Sequence, residues 1–155
     1  MMPKTDHGQI ILLLADGFEE TAFTILLVML REAGLAVLVV GLRTGRVNGA
    51  HGLMIVPDIS MDRLLEKMPP ILAVILPNSV GHLGRLQVDP RVGALLGRSV
   101  EESAMLVGLG PHIAELTDHF MGLDHPISWL VPEPGQPLEQ FATIIARRLQ
   151  DLQEE

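Results

Sequence analysis

A chain of 155 residues, 48% hydrophobic and 19% charged, has the size and composition of one globular domain spanning 1–155, able to bury about two thirds of its unfolded surface, and not those of a disordered chain. It contains no cysteine, which excludes disulfides, thiolate metal sites and cysteine nucleophiles and leaves a reducing, cytoplasmic location as the expectation. The net charge of -8, with no basic run beyond Arg147-Arg148, speaks against nucleic acid as a partner; the N-terminus has no apolar signal core, and Thr24 to Leu30 falls far short of the ~20 apolar residues that cross a bilayer.

Apolar runs rich in β-branched residues alternate with segments of helical period, a pattern that predicts a parallel sheet covered on both faces. Gln9 to Ala15 is the first strand and ends at the Asp16-Gly17 turn. Phe18 to Ala33 is then a helix, with Glu19 and Glu20 in its first turn, where the helix dipole favours acids; Gly34 closes it. Leu35 to Leu42 is the second strand. Asn48-Gly49 predicts a two-residue turn in a small hairpin that returns through Leu53 to Val56, and Pro57-Asp58 ends that piece.

A short helix, Met61 to Met68, leads to Ile71–Leu76, a continuous apolar run that reads as a central strand stopped by Pro77. Asp89 as N-cap and Pro90 at the first helical position open a helix through Val100. Ala104 to Val107 is a strand running into Gly108-Leu109-Gly110-Pro111. A helix begins over His112 to Leu116, Ile127 to Val131 is the last strand, and Gln136 to Leu152 the last helix.

The first helix is apolar almost all round: Phe23, Ile25, Leu26, Leu27, Val28, Met29 and Leu30 point in nearly every direction. A helix lying on a sheet needs one apolar face, so the rest must be covered by a second subunit or by an unusually enveloping neighbour. The second subunit is the expectation, with Phe23, Leu26, Leu27, Leu30, Asn48 and His51 as interface candidates.

Taken in order, Asp16-Gly17-Phe18-Glu19-Glu20, Gly34, Gly49-Ala50-His51-Gly52, Val56-Pro57-Asp58, Leu76-Pro77 and Gly108-Leu-Gly-Pro111 resemble the ThiJ/PfpI family, which includes the Parkinsonism-associated deglycase and intracellular proteases. The resemblance covers essentially the whole chain. It implies a three-layer α/β/α sandwich with a mostly parallel central sheet and a small β-hairpin, class I glutamine amidotransferase-like, flavodoxin-like and Rossmann-like in layout. It also implies a homodimer through the first helix and the hairpin, in keeping with the apolar helix.

The same resemblance exposes what is missing. The family's pattern Cys-x-Gly-Pro reads Gly108-Leu109-Gly110-Pro111 here, which puts Gly108 at the nucleophile position. The family's buried Glu falls on Ala22, the His that follows the Cys in many relatives is Leu109, and Leu-Pro-Gly-Gly, which helps to form an oxyanion hole, reads Leu76-Pro77-Asn78-Ser79. A later segment that supplies a His in other relatives is largely deleted between Leu116 and Ile127. The family's elbow holds its nucleophile at an unfavourable φ/ψ, a strain of about 1–3 kcal/mol. Glycine adopts such angles freely, so Gly108 is expected to relieve that strain, and Ala22 removes a carboxylate that would be buried without its partner.

The expectation that follows is a pseudoenzyme that binds a small molecule or protein partner in a remnant pocket formed by Asp16, Glu19, Asn78, Ser79, Gly108, Leu109 and His112, with no cofactor. The alternative is a divergent hydrolase, deglycase or glyoxalase-like enzyme using Ser79 or a histidine, such as His82 or His112, in place of the cysteine; a third is a purely structural dimer whose pocket is vestigial. Against the enzyme, no orienting acid or oxyanion hole is evident, and Ser79 also reads as a helix N-cap. Asp16, Glu19 and Glu20 could do acid/base work but read more simply as complements to the helix dipole. The histidines, His7, His51, His82, His112, His119 and His125, include no pair at the i, i+4 spacing of a helical zinc site, so no metal is expected.

Overall fold

Strand β1 (Gln9–Leu14) alternates its side chains between two interiors, and this alternation sets the layering of the molecule. Ile10, Leu12 and Leu14 face one apolar cluster; Ile11 and Leu13 face another. The structure is a computed structural model and describes residues 8–77, 80–109, 113–118 and 128–154. Six parallel strands lie in the order β5 (Ile59–Ser60), β2 (Val37–Gly41), β1, β6 (Ile71–Leu76), β7 (Met105–Gly108) and β8 (Trp129–Leu130). Helices α1 (Glu20–Glu32) and α6 (Leu138–Glu154) contribute to the first cluster. Helices α2 (Met61–Lys67), α3 (Val80–Gln87), α4 (Pro90–Glu101) and α5 (Ile113–Asp118) contribute to the second. A parallel sheet buried on both faces requires the continuous apolar strands read in the sequence.

Most predicted boundaries move inward by a few residues, because element ends are set by caps. Glu19 caps α1, accepting from the amides of Thr21 and Ala22 at 3.3 and 2.7 Å, so the helix starts at Glu20 and not at Phe18. Asp89 caps α4 as expected, accepting from Arg91 N at 3.0 Å. On β7 the shift brings Gly108 into the ladder opposite Leu76.

The hairpin differs from its expected form. Strands β3 (Val47–Asn48) and β4 (Met54–Ile55) pair Asn48 with Met54, so residues 49–53 make the turn and Asn48-Gly49 is not a two-residue loop. Gly49 instead bridges to Phe18, because a main-chain approach to α1 outcompetes the tight turn. One element had no sequence expectation, and another had only Ser79 as its N-cap signal. Strand β5 is only two residues long and follows Pro57-Asp58, a stop signal, and α3 carries two glycines and a buried histidine.

One face of the first helix is covered from within. Phe23, Leu26 and Leu30 are buried in the chain's own core beside Phe141, Ala142, Ile145 and Leu149 of α6. These three interface candidates are buried against the C-terminal helix, while Val28 of the same helix stays exposed and Ile25 and Met29 are half-buried. Leu27 is half-buried, while Asn48 and His51 are exposed. Apolar surface does remain exposed near them at Val28, Leu53, Met54 and Val56.

Candidate functional site

From β1 the chain builds β2 and β5 on one side and β6, β7 and β8 on the other. Strand order thus reverses between β1 and β6, and in open α/β sheets ligands bind beyond the carboxyl ends of the strands at such a point. Asp16, Pro77 and Gly108 all stand at that edge, following or ending β1, β6 and β7.

Gly108 is buried at the last position of β7, and α5 begins at Ile113. Its backbone is not in the left-handed region, nor is that of Leu109. Relief of strain therefore does not explain the glycine, which corrects that expectation. Space explains it: a Cβ built at 108 would lie 2.5 Å from Cγ1, 2.9 Å from Cβ and 3.1 Å from Cγ2 of Ile113. The first turn of α5 has closed over the place from which a side chain at 108 would emerge. Ala22 is likewise buried, and its methyl group packs where a carboxylate would need a partner.

The acids at this end are engaged. Asp16 accepts from Asn48 N at 3.0 Å and from Arg43 Nη2 at 2.8 Å, fastening the β1 turn to the hairpin. Glu19 caps α1. Glu20 reaches across to the hairpin turn, where it accepts from His51 N at 2.7 Å and Leu53 N at 3.1 Å and lies 2.8 Å from His51 Nδ1. Burial acts to raise the pKa of Glu20, but these donors outweigh it and the net direction is down. The side chain of Glu20 occupies the volume that a Cβ on Gly49 would take, so glycine at 49 is what lets the hairpin approach.

Glu19, Glu20 and His51 bring one ligand atom each within 4.8 Å of one another, and among the described residues they are the group able to hold a cation. Most of their oxygens already accept amide hydrogens at the positive end of α1, which opposes a cation there.

His82 is fully buried on α3, its Nε2 3.3 Å from the carbonyl of Leu13. A carbonyl only accepts, so Nε2 carries the proton. Desolvation pushes its pKa down to about 4 against the smaller opposing effect of that hydrogen bond, and the ring is neutral at pH 7. Of the expected pocket, Asp16, Glu19, Gly108 and Leu109 lie at the carboxyl edge or directly after it, whereas Asn78, Ser79 and His112 fall outside the described residues, as do His7, His119 and His125. Ile113 and the partnership of Glu20 with Gly49 had no sequence signal, since each depends on a contact between separate elements.

The DJ-1/PfpI family model matches residues 8–109. No curated protein matches the chain by sequence. Among solved structures, DJ-1beta of Drosophila melanogaster is similar with a TM-score of 0.76 at 23% identity, covering 94% of each chain. A mutant of a DJ-1 superfamily protein from Salmonella typhimurium gives 0.75 at 20% identity over 92% of this chain and 90% of the other. DJ-1 of Schizosaccharomyces pombe gives 0.66 at 14% identity over 94% and 95%. With its sheet order, its helical layers and a family match that runs from β1 to the end of β7, the chain belongs to the DJ-1/PfpI family.

Proposed function

We propose that this DJ-1/PfpI protein has given up nucleophilic chemistry and works by binding a small molecule or protein partner at the remnant site beside Asp16, Glu19, Asn78, Ser79, Gly108, Leu109 and His112, as a cytoplasmic homodimer. The observation that carries it is the crowding at Gly108, where Ile113 stands 2.5 Å from the position of a Cβ. No cysteine exists anywhere in the chain to take over. The buried, neutral His82 bound to a main-chain carbonyl reads as an interior strut, which weakens the case for a substitute Ser-His pair.

A thermal-shift screen with metabolites tests the binding. A ligand at 100 times its dissociation constant adds about 2.7 kcal/mol of stability. The expected hit stabilises the wild type and loses effect in Ser79→Ala or His112→Ala. A full panel with no shift would leave a purely structural protein and overturn the binding reading. For the dimer, the support is the apolar surface still exposed at Val28, Leu53 and Met54, next to the hairpin that Glu20 ties to α1.

A further inference from the structure

A second cleft opens on the other side of Asp16, away from Gly108. It has a volume of about 290 Å³ and lies among the ends of β1 and β2, the start of the hairpin and the α3–α4 junction. Its apolar wall is Leu14, Ala15, Leu42, Val47 and Val88; its polar lining is Arg43, Arg85, Arg91, Asp16 and Asp89. With Asp62, which also pairs with Arg91, three arginines meet three aspartates, so this patch is balanced in charge on a chain whose net charge is -8. A balanced patch repels an anion less than the acidic surface around it does.

The three arginines differ in what they have left to give. Arg91 is spent: it donates to Asp89 at 2.6 Å, to Asp62 at 2.7 Å and to the Leu42 carbonyl at 2.9 Å, and forms a fixed wall. Arg43 uses Nη2 on Asp16 at 2.8 Å and is otherwise open to solvent. Arg85, in the last turn of α3, makes no ion pair or hydrogen bond among the described residues. One free guanidinium and one half-free guanidinium therefore stand beside an apolar pocket. A guanidinium presents paired N–H groups that match a carboxylate, and the apolar wall is suited to a short hydrocarbon.

We propose that this cleft binds a small organic anion, its carboxylate held by Arg85 and Arg43 and its hydrocarbon body laid on Leu42 and Val88. The cleft shares Asp16 with the remnant pocket but is not lined by Glu19, Gly108 or Leu109, and neither reading depends on the other.

The test is a titration of isotope-labelled protein with hexanoate, followed through backbone amide resonances, with hexanol and inorganic phosphate as comparators. The expected result is a saturable shift of Ala15, Asp16, Leu42, Arg43 and Val88, with Gly108, Leu109 and Ile113 unmoved. Arg85→Met should weaken hexanoate about tenfold or more, the loss of one charge-assisted hydrogen bond. Hexanol and phosphate, each carrying half of the recognised chemistry, should bind more weakly than hexanoate. Val88→Asp, at an exposed position, should also weaken binding, and it provides a second probe that leaves the core untouched. Absence of a saturable shift, equal affinity for hexanol, undiminished binding in both variants, or shifts centred on Gly108 would each overturn the proposal.

Discussion

A methyl group added at position 108 meets not the loose end of a side chain but the Cβ and both branches of Ile113, and a β-branched residue has few rotamers into which to retreat. Gly108→Ala should therefore destabilise the protein by about 1–3 kcal/mol, the usual cost of overpacking, measured by urea denaturation. In the background of Ile113→Ala, which opens the space, the same change should cost clearly less, because residues in contact are not additive. Equal costs in both backgrounds would show that Ile113 does not close the position. His82 gives a pH dependence. Its folded pKa of about 4 lies below the ordinary 6.5, so the unfolded chain takes up the proton first as the pH falls. The associated stability is complete above pH 6.5 and is lost as the pH drops towards 4, an effect on the order of 3 kcal/mol. Unfolding free energies measured across that window should fall for the wild type and fall less steeply for His82→Gln. An unchanged slope would contradict the buried, neutral ring. Glu20 and Asp89, whose carboxyls are shifted down, add their own losses at lower pH.

The elements divide into those whose cause is local and those whose cause lies elsewhere in the fold. Helix α4 was legible because Asp89 and Pro90 are themselves the start signal, and β1, β2 and β6 because their apolar runs exceed what any other element would need. The hairpin register was not, since Gly49 is placed by Glu20 of α1 and not by its neighbour Asn48. Glu20→Ala should accelerate amide exchange at His51 and Leu53, the two amides it accepts from, and leave β1 protected. Protection unchanged at both amides would mean that Glu20 does not hold the turn. Helix α1 teaches the same distinction. Part of its all-round apolarity has its cause in α6, more than a hundred positions later, which buries Phe23, Leu26 and Leu30 and leaves Val28 exposed. Leu30→Asp, at a fully buried site, should therefore unfold the chain and not merely separate subunits. Val28→Asp or Met54→Asp, at exposed sites, should yield a folded monomer on light scattering. A wild type that is already monomeric would remove the dimer.

Across the whole molecule, the layering was legible in the sequence because a parallel sheet buried on both faces leaves long apolar strands that few other folds require. Membership of the DJ-1/PfpI family was legible from short motifs in order, each weak alone. The reason for glycine at 108 was not, because it depends on Ile113 folding back over the strand end, and backbone strain, the local explanation, is absent there. The arginine-lined cleft was also hidden: Arg43, Arg85 and Arg91 are scattered along the chain and gather only once β2, α3 and α4 are in place. No described helix is long and apolar enough to cross a membrane. The loss of chemistry is tested most directly by following methylglyoxal and an aryl ester over time with purified wild-type protein. Loss of either substrate should not exceed that in buffer. Sustained turnover that disappears in Ser79→Ala or His112→Ala would contradict the account.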